Sequence, residues 1–302
     1  MRWTAVVNPA AGRGRTRRIL RELGDACAAR GIAVHVARDR ADGEDAARAA
    51  FGDGRGVVAC GGDGTVSELA AVAAECDGVV ALVPTGSGND FARHFGIDGK
   101  RPLDALALLE HGREIRCDLG RARAADGTSR RFTTVAHTGF DAEANRWANG
   151  VQWTSGTTLY VVAVLRTLAV YQPRPIRVAT TGADGSTAVW EGPAWLVAAG
   201  NTRFYAGGMM ITPAARVDDG LLDVCVIGPV PKTTFLAKFP HVFRGTHVTI
   251  PGVHTFRGSA VSIEAVGPGL DLDLYASGER VGPLDACVEC DPGALRLVVP
   301  PA

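Results

Sequence analysis

The chain has 302 residues, of which 46% are hydrophobic and 21% are charged, and its 32 basic residues balance its 32 acidic residues. This length suits two domains or one large one, and the composition is that of a globular protein. Because the net charge is zero, no overall basic field favours nucleic acid, and we expect no nucleic-acid partner. Any contact with a membrane must therefore depend on a local surface.

The hydrophobic segments and the cysteines favour a cytoplasmic location. The N-terminus enters the apolar run Trp3–Val7 without the charged region and long apolar stretch of a signal peptide, so we expect none. The apolar stretch Leu159–Tyr171 is interrupted by Arg166 and is too short to span a bilayer. Seven cysteines are scattered, and only Cys287 and Cys290 are close. That pair lacks a second ligand pair, which favours reduced thiols over a metal site.

Residues 1–124 alternate short apolar strands with helical patterns. Strands are predicted at Thr4–Asn8, Ile32–Val36, Gly56–Cys60 and Val79–Val83, and helices at Arg15–Arg30, Glu44–Phe51, after Thr65, and at Pro102–His111. This alternation predicts an α/β domain whose parallel sheet is covered by helices on both faces. Ligands bind beyond the carboxyl ends of such strands. The glycine-rich loops Asn8–Arg15, Gly61–Thr65 and Pro84–Asp90 all follow strands, so we expect them to converge on one edge.

Residues 125–302 have a different pattern, with many strands and few helices. Strands are predicted at Arg131–Phe140, Ile176–Thr181, Val189–Ala199, Leu221–Ile227, His254–Ala265 and Leu270–Ala276, with helices at Thr158–Tyr171 and Thr233–Arg244. The pair Asp184-Gly185 is typical of a hairpin turn. The pattern predicts a second, mainly antiparallel domain, most simply a β-sandwich. The last strand, residues 294–299, fits either domain.

The most specific motif is the turn Gly61-Gly62-Asp63-Gly64-Thr65, which joins a buried strand to a helix. Unpaired backbone N–H groups and a helix N-terminus at such a turn favour an anion. A carboxylate beside a phosphate requires a cation or a proton transfer, so the turn predicts a phosphoryl-transfer site. A tight turn in which Asp63 or Thr65 only caps the helix is the alternative, but a cap does not need glycine on both sides.

The other two loops are weaker signals when each is taken alone. The run from Asn8 to Arg15, N-P-A-A-G-R-G-R, is neither a P-loop nor a dinucleotide G-x-G-x-x-G motif, and taken alone it favours a ligand-free turn over a nucleotide loop. The run from Pro84 to Arg93, P-T-G-S-G-N-D-F-A-R, offers hydroxyl, amide and carboxylate groups beside a third helix start. Its alternative is a helix capped by Asn89 or Asp90.

In combination the three loops resemble the diacylglycerol kinase catalytic domain family, in particular the bacterial lipid kinases, which are related to sphingosine and ceramide kinases. The resemblance continues in order along nearly the whole chain, through C-D-L-G at 117–120, G-F-D-A at 139–142, V-D-D-G-L-L-D at 217–223 and S-G-E at 277–279. It implies an N-terminal α/β domain like that of NAD kinase and phosphofructokinase, a C-terminal β-sandwich, and a nucleotide cleft between them.

The resemblance also implies roles for individual residues. The residues that it places around ATP are Asn8, Pro9, Ala10, Ala11, Gly12, Gly62, Asp63, Gly64, Thr65, Val66, Ser67, Glu68, Ser87 and Asn89. Asp63, Asp90 and Asp118 would form an acidic network that positions a catalytic Mg²⁺ ion. A second, structural Mg²⁺ ion would be held by the Asp219 carboxylate and the carbonyl groups of Arg216 and Leu221. A plain Asp-Gly turn is the alternative at that second position.

Glu279 would be the general base that accepts the proton of the lipid hydroxyl, with Asp63 as the second candidate. The chain departs from its relatives here, because the family sequence D-G-E is Ser277-Gly278-Glu279. A serine cannot act as a base at neutral pH without help. The change therefore predicts lower activity, a different acceptor, or a protein that binds nucleotide and lipid without turnover.

The resemblance thus implies an ATP- and Mg²⁺-dependent kinase that phosphorylates a lipid hydroxyl, most simply that of diacylglycerol, to give phosphatidic acid. We expect peripheral contact with a membrane, which the run 146–153 would favour, and a homodimer would be consistent with exposed sheet edges. An NAD kinase shares G-G-D-G-T but not the loop at 84–93. Residues that fit the acceptor pocket are Trp147, Trp153, Leu159, Tyr160, Phe204, Tyr205, Met209 and Met210.

Overall fold

The computed structural model describes residues 1–143, 166–168 and 170–301. Its N-terminal part contains the strands β1 (Trp3–Val7), β2 (Ala33–Val36), β3 (Gly56–Gly61) and β4 (Val79–Pro84). They pair in parallel in the order β2-β1-β3-β4. Every residue of β3 and β4 is buried, as expected for central strands with helices on both faces. The predicted parallel sheet is therefore confirmed.

The helices of this part are α1 (Ala11–Ala28), α2 (Arg40–Gly52), α3 (Asp63–Cys76), α4 (Asp90–His94) and α5 (Leu108–His111), the last preceded by a 3₁₀ turn at Pro102–Ala107. Helices α2 and α3 pack against each other. Because crossovers between parallel strands are right-handed, α1 lies on the opposite face of the sheet from these two. Each glycine-rich loop follows the carboxyl end of a parallel strand, so the three loops meet at one edge of the sheet.

The remaining strands are β5 (Arg113–Arg123), β6 (Ser129–Phe132), β7 (Val135–Gly139), β8 (Arg174–Thr181), β9 (Thr187–Ala194), β10 (Leu196–Gly200), β11 (Leu222–Ile227), β12 (Val253–Gly258), β13 (Ala260–Ala265), β14 (Asp273–Ala276), β15 (Glu279–Pro283) and β16 (Ala286–Val299). Strand β16 connects the two parts of the molecule. It pairs in parallel with β4 and antiparallel with β5 and β13, which continues into β8 and β9. Leu295 and Leu297 of β16 pack in the core of the N-terminal part.

A second sheet, in the order β12-β11-β10-β7-β14-β15, faces the antiparallel part of the first sheet. Its neighbouring strands pair antiparallel, which confirms the predicted sandwich. The sandwich core joins Phe132 and Val261 of one sheet to Leu222 and Val224 of the other. Among the described residues, no helix has the length and apolar character needed to cross a membrane.

The outer face of the second sheet is covered by helix α6 (Lys232–Lys238) and two 3₁₀ turns, Phe239–Arg244 and Thr246–Thr249. Tyr205, Met209 and Val242 pack with residues of β10 and β11 beneath this cover. This layer lies beside the loop edge of the first domain, because Asp90 accepts a hydrogen bond from the backbone of Gly207 at 2.7 Å. Most of the predicted helix at 158–171, and Trp147, Trp153, Leu159 and Tyr160, lie outside the described residues.

The turn at 216–223, in which a structural Mg²⁺ ion was predicted, is held by an arginine. Asp219 Oδ1 accepts a hydrogen bond from the backbone N–H of Leu221 at 3.1 Å, and its Oδ2 accepts one from the Arg257 guanidinium. The same guanidinium donates to Asp223 Oδ2 at 3.3 Å, since Arg257 lies opposite Asp223 in the β11–β12 pair. The Arg216 side chain turns to Asp218 at 3.1 Å. The Arg257 guanidinium already engages Asp219, so a metal at this turn stays a prediction that these contacts do not support.

We expect Arg257→Gln to lower the free energy of unfolding by about 1 kcal/mol, because two carboxylates lose a shared cation in a partly exposed position. A shift of a few degrees in melting temperature would report this change. Arg177→Gln is a matched control, because Arg177 is similarly exposed but contacts its carboxylates only at 3.8 and 4.0 Å.

A second measurement tests for a metal at this turn. We expect Mg²⁺ to raise the melting temperature equally in the wild type and in Asp219→Asn. Loss of the Mg²⁺ effect in Asp219→Asn would instead show a metal at this turn.

Candidate active site

The three glycine-rich loops interlock by backbone contact. A Cβ atom on Gly12 would lie 2.2 Å from the carbonyl oxygen of Thr85, and one on Gly86 would lie 2.4 Å from the Cα of Gly62. Gly12 has a positive φ of 59°, and the φ angles of Arg13 and Gly14 next to it are also positive. No other residue type fits at Gly12 or Gly86 without moving a loop. The glycines therefore let three strand ends come together around one space.

The first two loops form a groove that suits a nucleotide. Asn8 Nδ2 donates to Thr65 Oγ1 at 2.9 Å, and Asn8 Oδ1 accepts from the backbone N–H of Ala10 at 3.0 Å. Asn8, Pro9, Ala10, Thr65, Glu68 and Arg40 line this groove. Gly62 is the N-cap of α3, and no side chain caps this helix start. The first turn of α3 contains Asp63, Gly64 and Thr65. An uncapped helix start beside close-packed backbone is a site where a phosphate group can bind.

Asp63, which is half-buried, and Asp90, which is buried, lie beside Gly88 in a cleft that Ser87 also lines. Asp63 Oδ1 accepts a hydrogen bond from the backbone N–H of Phe91 at 3.1 Å. Burial, with a smaller contribution from the charge of Asp90, raises the pKa of Asp63 to about 6. Burial also raises the pKa of Asp90. The protein therefore keeps two like charges together at a cost in stability.

The donor set fits a divalent cation. Asp90 Oδ1 is buried and has no hydrogen-bond partner, although the Arg93 guanidinium approaches it at 3.5 Å. Oxygen ligands from a few carboxylates, completed by phosphate groups and water, are what Mg²⁺ prefers. Asp63 and Asp90 would be its protein ligands. A cation bound there would offset the repulsion between the two carboxylates.

Ser277 and Glu279 both lie near the G-D-G-T turn, but only Ser277 lines the cleft of Asp63. Ser277 lines the cleft that contains Asp63, and its Oγ lies 2.9 Å from Thr134 Oγ1 and accepts a hydrogen bond from the backbone N–H of Thr134 at 3.2 Å. Glu279 is exposed, and its Oε1 would be 3.7 Å from a Cβ atom on Gly64. Its charge contributes to the raised pKa of Glu68, which is caused mainly by burial. Glu279 thus approaches Gly64 and lies near Glu68, whereas Ser277 lines the cleft.

A pair of buried titratable residues, His137 and Asp141, borders the same cleft. His137 Nδ1 and Asp141 Oδ2 are 3.6 Å apart, and neither atom makes a hydrogen bond. The hydroxyl of Tyr205 hydrogen-bonds to the Asp141 carboxylate, and burial raises the pKa of that carboxyl group. Two buried polar atoms without a hydrogen bond at the edge of a cleft mark a place where a polar ligand group can bind.

An apolar cavity opens beside this pair, beneath α6. Asp141 and Tyr205 line both the cleft and the cavity. The other cavity residues are mainly apolar: Phe140, Leu196, Met209, Ile211, Ile227, Val230, Phe235, Phe239, Val242, Ile250 and Val253, with Thr234, Lys238 and His247. A polar group placed at Asp141 would therefore lie between the acidic cleft and an apolar space.

Several residues that were predicted to surround the nucleotide are placed elsewhere. The Val66 side chain lies in the N-terminal core. Ser67 Oγ is buried and lies 2.8 Å from Thr133 Oγ1, across the domain interface. Asn89 shapes its own loop by donating to the carbonyl of Gly86 at 2.9 Å. Side-chain roles in nucleotide binding for these three stay predictions that these contacts do not support.

Asp118 does not line the cleft with Asp63 and Asp90. Its Oδ1 accepts a hydrogen bond from Gly293 at 2.7 Å, and its Oδ2 accepts one from Gly220 at 2.8 Å. It therefore ties β5 to β16 and to the turn at 216–223. Both of its oxygens are occupied by backbone groups, which fits a structural role better than a shared metal.

His137, Asp141 and Arg40 are site residues to which the sequence assigned no role. The spacing of His137 and Asp141, four residues apart within a buried run that ends in G-F-D-A, was the available signal. Tyr205 and Met209 were predicted to line an acceptor pocket, and both line the apolar cavity. Phe204 and Met210 do not line it.

The domain comparisons cover both parts of the chain. Residues 2–122 match the diacylglycerol kinase catalytic domain, and residues 134–299 match the YegS C-terminal NAD kinase beta sandwich-like domain. A protein named "Diacylglycerol kinase" from Mycobacterium tuberculosis is 35% identical over 300 residues, which are 98% of this chain and 94% of that protein. One named "Probable lipid kinase YegS-like" from Stenotrophomonas maltophilia is 30% identical over 251 residues, 81% of this chain and 78% of that protein.

Solved structures share the fold. The crystal structure of a diacylglycerol kinase from Bacillus anthracis superposes with a TM-score of 0.69 at 20% identity, over 99% of this chain and 97% of that one. At this identity the likeness concerns the fold alone. Because the catalytic-domain match and the sandwich-domain match together span nearly the whole chain, and the Mycobacterium tuberculosis relative covers it almost completely, this chain belongs to the diacylglycerol kinase family of lipid kinases.

Proposed function

We propose that this protein transfers the γ-phosphoryl group of ATP to the hydroxyl group of a diacylglycerol and thereby forms phosphatidic acid. The observation that carries the proposal is the junction at Asp141, where the acidic cleft of Asp63 and Asp90 meets the apolar cavity. A lipid that reacts through a hydroxyl group needs both the cleft and the cavity. Its acyl chains require apolar contacts, and its reacting oxygen requires the acidic cleft.

In this proposal ATP lies along the groove at Asn8–Ala10, with its phosphates over the N-terminus of α3. Asp63 and Asp90 would hold Mg²⁺, and the ion would supply positive charge beside the phosphates. The close backbone contacts at Gly12 and Gly86 support this placement, because they hold the loops at a fixed distance around the phosphates. The interlocked loops orient the nucleotide before the acceptor arrives.

Asp63 is better placed than Glu279 to accept the proton of the acceptor hydroxyl. Asp63 and Asp141 line the same cleft, whereas Glu279 does not line it and is exposed near Gly64. An ionised carboxylate in that cleft can accept the proton while the new bond to phosphorus forms. The hydroxyl oxygen loses its proton to Asp63 and bonds to the γ-phosphorus, and ADP leaves. His137 and Asp141 hold the glycerol end of the acceptor in position.

We expect Asp63→Asn to reduce phosphoryl transfer by about 10²-fold or more, because the charge is lost while an oxygen remains to accept the Phe91 hydrogen bond. Because the pKa is raised from 3.8 to about 6, ionisation of Asp63 destabilises the fold increasingly as pH rises between these values, fully above pH 6, and not below 3.8. The variant should therefore melt at the same or a higher temperature at pH 7. Asp25→Asn, on the outer part of α1, is the control for both measurements.

The assay uses labelled ATP, Mg²⁺, diacylglycerol, ceramide, sphingosine and NAD as acceptors. Label in diacylglycerol alone supports the proposal, and label in NAD alone would contradict it. ATP binding without transfer to any acceptor would favour a protein that binds its ligands without turnover. Near-normal transfer by Asp63→Asn would show that Asp63 is neither the base nor an essential metal ligand. If Glu279→Gln then lost transfer completely, Glu279 would be the base.

Ser277→Asp tests the departure from the family sequence. Ser277 Oγ lies in the cleft beside Thr134, so an aspartate there would add a carboxylate near Asp63 and Asp90. We expect transfer to rise by about tenfold if the serine limits proton transfer. Ser277→Asn has the same shape without the charge and should not raise the rate. A lower rate for Ser277→Asp, or a change in the preferred acceptor, would show that the serine suits a different acceptor.

Ile227→Trp tests the cavity. Ile227 is half-buried at the end of β11 and lines the apolar space. A larger ring there should raise the KM for a long-chain diacylglycerol by about tenfold, because acyl carbons lose room, and should change the KM for a short-chain one little. Equal effects on both acceptors, with the fold intact by circular dichroism, would place the acyl chains elsewhere.

A further inference from the structure

We infer that the segment 231–250, which covers the apolar cavity, docks on an anionic lipid bilayer. This inference rests on the proposed function, since a diacylglycerol acceptor resides in such a bilayer, and it names the surface through which the acceptor would arrive. Arg146–Trp153, which the sequence favoured for this contact, lies outside the described residues.

A row of aromatic rings runs from the core to the surface along this segment. Trp195 stacks on Phe235 with ring centroids 4.8 Å apart, Phe235 lies 6.4 Å from Phe239, and Phe239 lies 6.1 Å from Phe243. Trp195 is only 1% exposed, whereas Phe243 is 50% exposed. Phe235 and Phe239 line the apolar cavity, and Phe243 lines the cleft of Asp63. The row thus joins the cavity, the cleft and the outer surface.

Two large apolar side chains of the segment project into solvent. Leu236 on α6 and Phe243 on the next turn are each 50% exposed. Strand and loop packing does not require them there, because neither belongs to a buried cluster. Aromatic and leucine side chains on a short helical surface are typical of an interfacial contact with lipid.

The charge of the segment specifies which kind of surface it fits. No acidic residue occurs between Asp223 and Glu264, while Lys232, Lys238 and Arg244 lie in the segment. The whole chain has only three lysines, the third being Lys100. In a chain of zero net charge this is a local positive surface next to exposed apolar groups. That combination attracts anionic headgroups. Each basic residue near an anionic bilayer raises the binding affinity by a factor of up to about ten.

The same charge argues against a second copy of this chain as the occupant. Two copies that met through this segment would place like charges against each other, without acidic residues on the segment to pair with them. A bilayer also explains why the exposed ring of Phe243 borders the cleft. A lipid that leaves the bilayer at Phe243 would reach Asp63 and Asp141 without crossing water.

Co-sedimentation with vesicles tests the inference on the full chain. One set of vesicles contains only zwitterionic phosphatidylcholine, and the other contains added phosphatidylglycerol. We expect tighter binding to the anionic vesicles, and weaker binding when salt is raised. Lys238→Gln/Arg244→Gln should weaken the binding to anionic vesicles by about tenfold or more. Leu236→Ser/Phe243→Ser should weaken it by a similar factor through lost insertion, with less dependence on salt.

Two matched variants change other surfaces. Val189→Ser alters a 51% exposed valine on strand β9, and Arg177→Gln removes a charge from β8, the strand paired with β9. Both should bind vesicles like the wild type. The inference is overturned if the segment variants bind anionic vesicles as tightly as these controls, or if anionic lipid does not strengthen wild-type binding. A concentration-dependent dimer that Leu236→Ser/Phe243→Ser abolishes would also overturn it, in favour of a second copy.

A water-dispersed, short-chain diacylglycerol separates this inference from the proposed function. Leu236→Ser/Arg244→Gln should phosphorylate that acceptor at the wild-type rate but should phosphorylate diacylglycerol in anionic vesicles more slowly, by about tenfold. Transfer to the short-chain acceptor without segment-dependent vesicle binding would remove the docking surface and leave the proposed function. Segment-dependent vesicle binding without transfer to any acceptor would keep the docking surface and remove the proposed function.

Discussion

The close approach of three backbone loops is the constraint on which the site depends. Gly12 contacts the carbonyl of Thr85, and Gly86 contacts Gly62, at distances that leave no room for a side chain. These contacts fix the ends of β1, β3 and β4 relative to one another. They also bring the N-terminus of α3 beside the start of α4, so that Asp63 and Asp90 share one buried space. Without the glycines the two carboxylates would be free to separate.

Burial makes those carboxylates useful and also makes them costly. Desolvation and mutual repulsion raise the pKa of Asp63 to about 6, which destabilises the fold at neutral pH. A protein selected for stability alone would replace one of the pair. Keeping both is consistent with a site whose ligands, a cation and phosphate groups, supply the missing interactions only when they bind. The arrangement thus trades stability for preorganisation.

The two halves of the chain contribute different parts of the proposed reaction. The parallel sheet supplies the phosphate loops and the acidic pair, while the outer face of the second sheet supplies an apolar cavity. Strand β16 holds the halves together, because it belongs to the N-terminal core at one end and to the sandwich at the other. Asp118 strengthens this junction by accepting backbone hydrogen bonds from Gly220 and Gly293. The cleft therefore lies at a junction that is fixed by main-chain pairing.

The sequence by itself determined the α/β and antiparallel parts, the loop edge and the presence of acids on that edge, because strand periodicity and glycine-flanked acids are local patterns. It did not determine which acids share a space. Asp118 was grouped with Asp63 by resemblance, yet its oxygens bind backbone groups elsewhere. The Arg257 contact with Asp219 and the junction at Asp141 join residues far apart in the chain. Only the tertiary structure decided these, since strand register and packing bring such groups together, and neither leaves a local signature in the sequence.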